Sequence, residues 1–268
     1  MYKKVFITGA GTGIGKDAAI ALAKRGHVVF ASTHYKEEAM LINEYAKSNG
    51  LTNNLKGIKF NLLEKEDIIK ILDYDIDVLI NNAAIGDTGS VMDIDVDRYR
   101  NTFETNLFSP IELTQLALKN MILKKSGRII FISSLFGRIS MEFFSSYSAT
   151  KFAIEALAES FYREAKLLKQ EGINIDVVLI EPGTYKTGFN QRMMNKKYDW
   201  MRKRSYFNNM VEEIKEKEQS FFNKAELKST DSIVEEYIKA TEDNKVKRRY
   251  TAPKRQSFIT QVIRIFGK

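Results

Sequence analysis

Short apolar segments alternate with longer amphipathic segments along much of the chain. The apolar segments are typical of buried β-strands because they are brief and rich in Val, Ile and Phe. Strands that alternate with helices indicate βαβ units, which build a parallel sheet through right-handed crossovers. The pattern predicts strands at Lys4–Thr8, Val28–Ser32, Gly57–Asn61, Asp77–Asn81, Gly127–Ser133 and Asn174–Ile180, with a last one near Arg249–Ala252.

The predicted fold class is α/β, a Rossmann-like doubly wound parallel sheet of about seven strands with helices on both faces. The clearest helix is predicted from about Ser145 to Gln170, where a mostly apolar stripe continues without a proline. No Pro-rich linker divides the chain, so residues 1–268 are interpreted as one domain. Residues of about 188–245 lack a strand pattern and predict a helical insertion that borders the substrate.

Composition narrows the class of protein further. The chain has 268 residues, of which 44% are hydrophobic, enough for one substantial core. It has no apolar run of about 18 residues, and Met1–Lys4 lead directly into a strand without a signal peptide, so we expect a cytoplasmic protein. The absence of cysteine excludes disulfides and thiolate metal sites, and with two histidines we expect no bound metal.

The net charge of +8 is concentrated late in the chain. Residues 245–255 contain six basic residues and no acid, which predicts a solvated basic edge rather than a nucleic-acid site. The apolar segment that follows, Phe258–Phe266, is expected to dock on its own domain or in a dimer interface. Peripheral contact with a membrane is the alternative that the pattern favours less.

A glycine-rich turn follows the first strand and opens a helix at Thr8–Gly15. Glycines let the backbone approach a pyrophosphate, whose charge is stabilised by the free N–H groups of a helix N-terminus. Since strand, glycines and helix occur in the required order, we expect a dinucleotide to contact Gly9, Gly11, Thr12, Gly13, Ile14 and Gly15.

The end of the second strand should meet the adenosine ribose. The segment Ala31–Lys36 offers Ser32, Thr33, His34 and Lys36 and no carboxylate that would repel a 2′-phosphate. NADP(H) is therefore favoured over NAD(H), although no arginine is present to grip the phosphate.

Tyr147 and Lys151 lie at positions i and i+4 of the long predicted helix and so share one face. A tyrosine acts as a base near neutral pH only when a nearby cation stabilises the phenolate, which Lys151 could supply. Ser134 ends a buried strand 13 residues earlier and could hold a carbonyl oxygen while Tyr147 gives or takes a proton.

The ordered motifs of this chain resemble those of the short-chain dehydrogenase/reductase family in its compact form, up to about residue 190. Thr8–Gly15 matches its TGxxxGIG turn, Asn81–Ala84 its NNAG, and Pro182–Thr187 its PGxxxT segment. Asn106, Ser134, Tyr147 and Lys151 match its active-site residues.

This resemblance implies carbonyl/alcohol hydride transfer with Asn106, Ser134, Tyr147 and Lys151 as the catalytic residues. It implies that Asn106 bends a helix and holds a water that links Lys151 to solvent, and that Lys151 also bonds the nicotinamide ribose. It implies further cofactor contacts from Asn61, Leu62, Asn82, Ala83, Ala84, Tyr147, Lys151, Pro182, Gly183 and Thr187. Ala84 and Asn61 depart from the usual glycine and aspartate, and Ser109 from a frequent glycine.

Apolar residues at the same sheet edge predict a pocket for a lipophilic ketone, aldehyde or alcohol. The predicted substrate contacts are Ser134, Phe143, Tyr147, Tyr185 and Phe189, and the other candidate wall residues are Ile85, Met141, Phe144, Met193, Met194, Trp200 and Phe207. Half of the wall residues could instead pack the insertion onto the core. The alternatives are a 3-oxoacyl carrier-protein reductase and a dinucleotide-binding regulator without turnover. A homo-oligomer, dimer or tetramer, is expected.

Overall fold

The computed structural model describes residues 2–267 and contains one parallel sheet of seven strands. The strand order is β3-β2-β1-β4-β5-β6-β7. The predicted fold class is confirmed, and each strand lies at or near its predicted position. Only β3 differs noticeably, because it begins and ends two residues early and leaves Asn61 beyond the strand. The strands are β1 Lys4–Ile7, β2 Val28–Thr33, β3 Leu55–Lys59, β4 Val78–Asn81, β5 Ser126–Ile132, β6 Asn174–Pro182 and β7 Arg249–Ala252.

Ten α-helices are assigned within residues 2–267. Their bounds are α1 Gly13–Lys24, α2 Lys36–Ser48, α3 Lys65–Ile69, α4 Val96–Phe103, α5 Ser109–Leu123, α6 Ser145–Gln170, α7 Phe189–Arg204, α8 Val211–Ala225, α9 Asp231–Glu242 and α10 Lys254–Phe266. The long predicted helix is confirmed as α6. Among the described helices, none combines the length and the apolar composition needed to span a bilayer.

The strands are apolar on both faces because helices cover the sheet on both sides. Side chains alternate between the faces, so Val5 and Ile7 pack with α1, α2 and α9, whereas Phe6 packs with α3, α5 and α6. The same alternation continues in β4, β5 and β6. Two separate cores result, one on each side of the sheet.

The order of the strands reverses between β1 and β4, which pair directly. Chain connections leave these two strands toward opposite edges of the sheet, so a crevice opens at their carboxyl ends. The glycine-rich turn follows β1, and Asn82 follows β4. The topology therefore brings two of the sequence motifs to one crevice.

The predicted insertion is helical and comprises α7, α8 and α9. A third apolar cluster joins α7 and α8 to the loop before α6. Within it Lys197 of α7 is fully buried and pairs with Glu218 of α8 at 2.5 Å and 2.6 Å. The Tyr198 hydroxyl also donates to Glu218 at 2.5 Å, and the Lys197 ammonium lies 4.4 Å from the ring centre of Phe144. These contacts satisfy both buried charges and fix the two helices against each other.

The basic segment 245–255 is only partly a solvated edge, which corrects the prediction. Arg249 pairs with Glu155 and with the fully buried Glu181, and Arg248 pairs with Glu159. Its lysines and Arg255 have no ion-pair partner within residues 2–267. Two of the six basic residues, Arg248 and Arg249, thus form ion pairs at the edge of the sheet.

The apolar segment at the end of the chain forms α10, and most of its apolar side chains do not dock on the domain, which was the first of the two expected placements. Phe258, Ile265 and Phe266 are 71%, 62% and 81% exposed. The polar residues of α10 face the domain instead, because they bond to loops beside β6.

Candidate active site

A cleft of about 500 Å³ lies at the carboxyl ends of the strands. It is lined by most of the residues that the sequence assigned to a dinucleotide: Gly9, Gly11, Thr12, Gly13, Ile14, Gly15, His34, Asn61, Leu62, Asn82, Ala83, Ala84, Tyr147, Lys151, Pro182, Gly183 and Thr187. Ser32 and Thr33 are exceptions, since both are buried in β2 and do not line the cleft. Thr33 instead donates to the carbonyl of Tyr35 at 2.7 Å.

The glycine turn is shaped for close approach of a ligand to the backbone. Gly9 and Gly13 have φ of +64° and +59°, a conformation that glycine adopts without strain. A Cβ on Gly9 would lie 2.7 Å from the Cα of Ala83, and one on Gly13 would lie 3.2 Å from the Cβ of Thr187. The turn ends at the first residues of α1, whose free N–H groups favour an anion. This cradle fits the pyrophosphate of a dinucleotide.

Thr8 and Asn82 hold the two sides of the crevice together. The Thr8 hydroxyl accepts the backbone N–H groups of Asn82 and Ala83 at 2.9 Å and 3.0 Å. The Asn82 amide donates to the carbonyl of Thr8 at 2.8 Å, and its oxygen accepts from the Tyr237 hydroxyl at 2.7 Å. The main contacts of Asn82 are therefore with the protein, which gives it a bracing role that the motif alone did not reveal.

Glu38 is a cleft residue that sequence reasoning missed. It lies in the first turn of α2, and its carboxylate packs so closely against Gly11 that a Cβ there would collide with it. His34 and Tyr35 line the same end of the cleft, and within residues 2–267 Glu38 has no ion-pair partner. The prediction from Ala31–Lys36 did not consider residues beyond that segment, and the structure brings the carboxylate of Glu38 to this end of the cleft. Glu38 comes from α2, the helix that follows β2. Its position in the first turn of that helix, close to the end of β2, was the signal that sequence reasoning could have used.

Ser134 and Tyr147 meet at the deep end of the cleft. Ser134 follows β5, and its hydroxyl accepts the N–H of Phe136 at 3.1 Å. Tyr147 lies in the first turn of α6 and is 8% exposed. Burial raises the pKa of Tyr147 to about 12, and its hydrogen bond with Ser134 opposes that rise. The phenol is consequently a proton donor throughout the neutral range.

Lys151 lies one turn after Tyr147 and is 2% exposed. Its ammonium donates to the carbonyl of Ile132 at 2.8 Å and lies 5.5 Å from the ring centre of Tyr147. Burial lowers the pKa of Lys151 to about 8, and the charge of Glu155 opposes the fall. The lysine is thus a cation near neutral pH that titrates in a range accessible to assay.

Asn106 lies in a π-helical turn, Glu104–Phe108, between α4 and α5. Its amide donates to the carbonyl of Ile85 at 2.9 Å and to the Thr150 hydroxyl at 3.1 Å. Its oxygen accepts the N–H of Ile85 at 2.8 Å. The irregular turn agrees with the expected helix bend. The side chain does not line the cleft, and its direct contacts link the NNAG loop to α6.

The apolar residues that line the cleft include Ile85, Phe136, Tyr185 and Phe189. The Phe189 ring, at the start of α7, lies 5.7 Å from that of Tyr147. Phe143, a predicted substrate contact, does not line the cleft because its ring packs against Phe207 at 5.2 Å. The remaining wall candidates, Met141, Phe144, Met193, Met194, Trp200 and Phe207, pack in the third apolar cluster.

The structure adds other cleft residues that sequence reasoning missed. Phe136 follows Ser134 by two residues, so its position beside the predicted serine was a signal. Arg192 and Lys196 of α7 also line the cleft. Their i, i+4 spacing places both cations on one face of the helix, where they favour an anionic ligand.

Comparison with known proteins identifies the family. The family model described as short chain dehydrogenase matches residues 3–198. The chain is 34% identical over 191 residues to a probable short-chain type dehydrogenase/reductase of Helicobacter pylori, covering 69% of this chain and 66% of the relative. It is 32% identical over 195 residues to the 3-oxoacyl-[acyl-carrier-protein] reductase of Buchnera aphidicola from Acyrthosiphon pisum, covering 72% and 78%.

The fold also matches solved structures. A short-chain dehydrogenase/reductase from Burkholderia phymatum in complex with NAD superimposes with a TM-score of 0.75 at 18% identity, covering 97% of this chain and 92% of that one. Other solved structures of this fold hold NADP. The chain belongs to the short-chain dehydrogenase/reductase family. It spans about two thirds or less of the length of the first curated relatives it matches.

Because Gly9 lies very close to Ala83, the effect of adding a methyl group at Gly9 can be predicted. Gly9→Ala is expected to abolish dinucleotide binding and to destabilise the fold, since the new Cβ meets backbone atoms. Gly50→Ala is the matched control, because Gly50 also has positive φ, at +67°, but open space around it. It should cost only about 1–2 kcal/mol and leave binding intact. Calorimetric titration and urea unfolding measure both effects, and equal behaviour of the two variants would contradict the role of the contact.

Proposed function

We propose that this chain is an NAD(P)(H)-dependent oxidoreductase that interconverts a carbonyl and a primary or secondary alcohol on a lipophilic substrate. The observation that supports it most is the convergence of Ser134, Tyr147 and Lys151 at the deep end of the cleft that the glycine turn begins. Three polar side chains from β5 and α6 meet there in a buried setting, which is how acid–base sites are built.

In the proposed reduction, Ser134 holds the substrate carbonyl oxygen and Tyr147 donates its proton to that oxygen. The reduced dinucleotide, when bound, supplies the hydride to the carbonyl carbon. Lys151 stabilises the phenolate that remains, because a buried cation interacts strongly with a nearby anion. Asn106 holds the loop at Ile85 and the Thr150 hydroxyl in place, so its proposed contribution is to the shape of the site. A water relay from Asn106 to Lys151 stays a prediction.

The wall formed by Ile85, Phe136, Tyr185 and Phe189 supports an apolar substrate. Such a wall excludes water from the reacting carbon, and the polar side chains of Asn190, Arg192 and Lys196 line the same cleft. We propose that the helical insertion at about 188–245 is the substrate-binding element, since Phe189 opens it. The similarity to a 3-oxoacyl carrier-protein reductase supports a second candidate, with Arg192 and Lys196 receiving an acidic carrier or the phosphate of its thiol arm. A homo-oligomer remains the expectation from the family.

For the cofactor we propose NAD(H), which departs from the expectation drawn from β2. A carboxylate beside the adenosine ribose bonds a free 2′-hydroxyl and repels a 2′-phosphate. Glu38 supports this choice, since it lies against Gly11 at that end of the cleft. The lysine and arginine residues of the cleft, Lys151, Arg192 and Lys196, lie on α6 and α7, and His34 is the basic residue at the same end as Glu38.

Replacing Tyr147, the proposed proton donor, is the direct test of the proposed reaction. Tyr147→Phe is expected to lower kcat about 10²- to 10⁴-fold without loss of dinucleotide affinity, because it removes only the transferable proton. Tyr250→Phe is the matched control, since the buried Tyr250 donates its hydroxyl to Asp243 at 2.8 Å and does not line the cleft. Turnover is followed by NADH absorbance with a panel of lipophilic carbonyls. Dinucleotide binding without any turnover by the parent chain would favour the regulator.

The titration of Lys151 predicts the pH profile of carbonyl reduction. Tyr147 keeps its proton below a pKa of about 12, whereas Lys151 loses its charge as pH rises through about 8. We expect kcat/KM for reduction to fall above about pH 8. In Lys151→Arg the charge persists, because guanidinium stays protonated, so the fall should move to higher pH. An unchanged profile in the variant would assign the titration to another group.

Glu38 predicts a shift in cofactor preference. Removing its charge in Glu38→Gln should raise kcat/KM for NADPH relative to NADH by at least about tenfold, since repulsion of a 2′-phosphate is lost. Glu37→Gln is the matched control, because Glu37 is an exposed neighbour that does not line the cleft. If the parent chain prefers NADPH and Glu38→Gln leaves the ratio unchanged, the proposal of NAD(H) fails.

A further inference from the structure

The helix α10 is packed with its polarity reversed. Its inner face is polar: the Gln256 carboxamide oxygen accepts the N–H of Thr184 at 2.9 Å, and Gln261 accepts from Arg138 at 3.1 Å. Thr260, between them, is the residue of α10 that is buried. These polar contacts hold the helix on the edge of the domain, and Ile263 is the apolar residue of α10 that is partly buried.

The opposite face of α10 is apolar and faces solvent. At 100° per residue, five large side chains fall within an arc of about 120°. All are exposed: Phe258 71%, Ile259 46%, Val262 39%, Ile265 62% and Phe266 81%. A continuous apolar stripe of this kind, two phenylalanines included, marks a surface that contacts another body.

The surroundings of this stripe are basic. Between Asn244 and Gly267 the chain contains no acidic residue but has Lys245, Lys247, Arg248, Arg249, Lys254, Arg255 and Arg264. Arg248 and Arg249 are neutralised by glutamates, as described above. Lys254 and Arg255 remain exposed at the beginning of α10, and Arg255 lies within the angular range of the apolar stripe.

We propose that the apolar face of α10 docks on an anionic phospholipid surface. Apolar side chains beside lysine and arginine on an in-plane helix are the features that such a surface binds. Each basic residue near anionic headgroups contributes about 1 kcal/mol to the attraction. A second copy of this chain fits less well, because two acid-free basic segments would be brought together and would repel.

Because α10 contacts a loop that lines the cleft, docking of α10 on a membrane affects how a substrate reaches the cleft. Its Gln256 bonds to Thr184, and Gly183 and Thr184 line the cleft. Docking therefore places the wall of the cleft one helix away from the lipid. A lipophilic substrate, on the proposed function, would reach the cleft from the membrane rather than from water.

Vesicle binding by the full chain tests the proposal without any substrate. The chain is mixed with vesicles of phosphatidylcholine alone or with added phosphatidylglycerol, and binding is measured by flotation. We expect binding to the anionic vesicles that weakens with added salt. The double variant Phe258→Asp and Ile265→Asp should lower the partition coefficient by at least about tenfold. Lys254→Gln with Arg255→Gln should lower it by about 30-fold, on anionic vesicles only.

The control is Leu41→Asp with Leu167→Asp, which changes two exposed apolar residues, 61% and 64%, on α2 and α6. It should bind as the parent does, and circular dichroism verifies the fold of each variant. Failure of the parent to bind anionic vesicles overturns the proposal. The proposal is also overturned if the parent does not bind vesicles but forms a multimer that the double variant Phe258→Asp and Ile265→Asp dissociates. In that case a second copy of the chain covers α10. Turnover of a water-soluble carbonyl without vesicles reports on the proposed function separately.

Discussion

The glycine turn after β1 lies against the end of β4 through contacts that leave no room for side chains. Thr8 and Asn82 bond across the crevice, and the backbones of Gly9 and Ala83 nearly touch. These bonds are made where the strand order reverses, so they set both the width of the crevice and the direction of α1. Tyr237 of α9 completes the brace by donating to Asn82. This close contact between the glycine turn and the end of β4 determines the dinucleotide cradle. The path of the chain toward Ile85 and the packing of α9 depend on the same contact.

The site is buried, and its titration follows from that burial. Tyr147 and Lys151 both resist ionisation because the charged form of each loses water. The two shifts have opposite signs, so a neutral phenol faces a cation that is easily discharged. This arrangement suits proton donation from Tyr147. Removal of a proton from an alcohol requires the phenolate, and a positively charged oxidised nicotinamide beside it would favour that form.

The helical insertion supplies part of the cleft lining through the beginning of α7. Its own apolar cluster and the buried Lys197–Glu218 pair hold α7 against α8, so the beginning of α7 can present Phe189 to the cleft. Many of the aromatic and methionine residues in this region serve that packing. The apolar composition of a segment therefore overstates how much of it lines the cleft, because the segment must first build a core.

Local pattern and spacing were sufficient to predict the strands, the bounds of α6 and the glycine turn, and the resemblance to a family's ordered motifs added Ser134, Tyr147 and Lys151 as cleft residues. Each of these depends on periodicity or on residues close in sequence. Tertiary structure decided what depends on contacts between distant elements. It placed Glu38 beside Gly11, buried Ser32 and Thr33, and turned Phe143 away from the cleft, since packing of separate helices selects which side chains face a cavity. Tertiary contacts also decided the orientation of α10. Its sequence shows an apolar stripe, but only the hydrogen bonds of its polar residues to neighbouring loops determine that the stripe faces solvent.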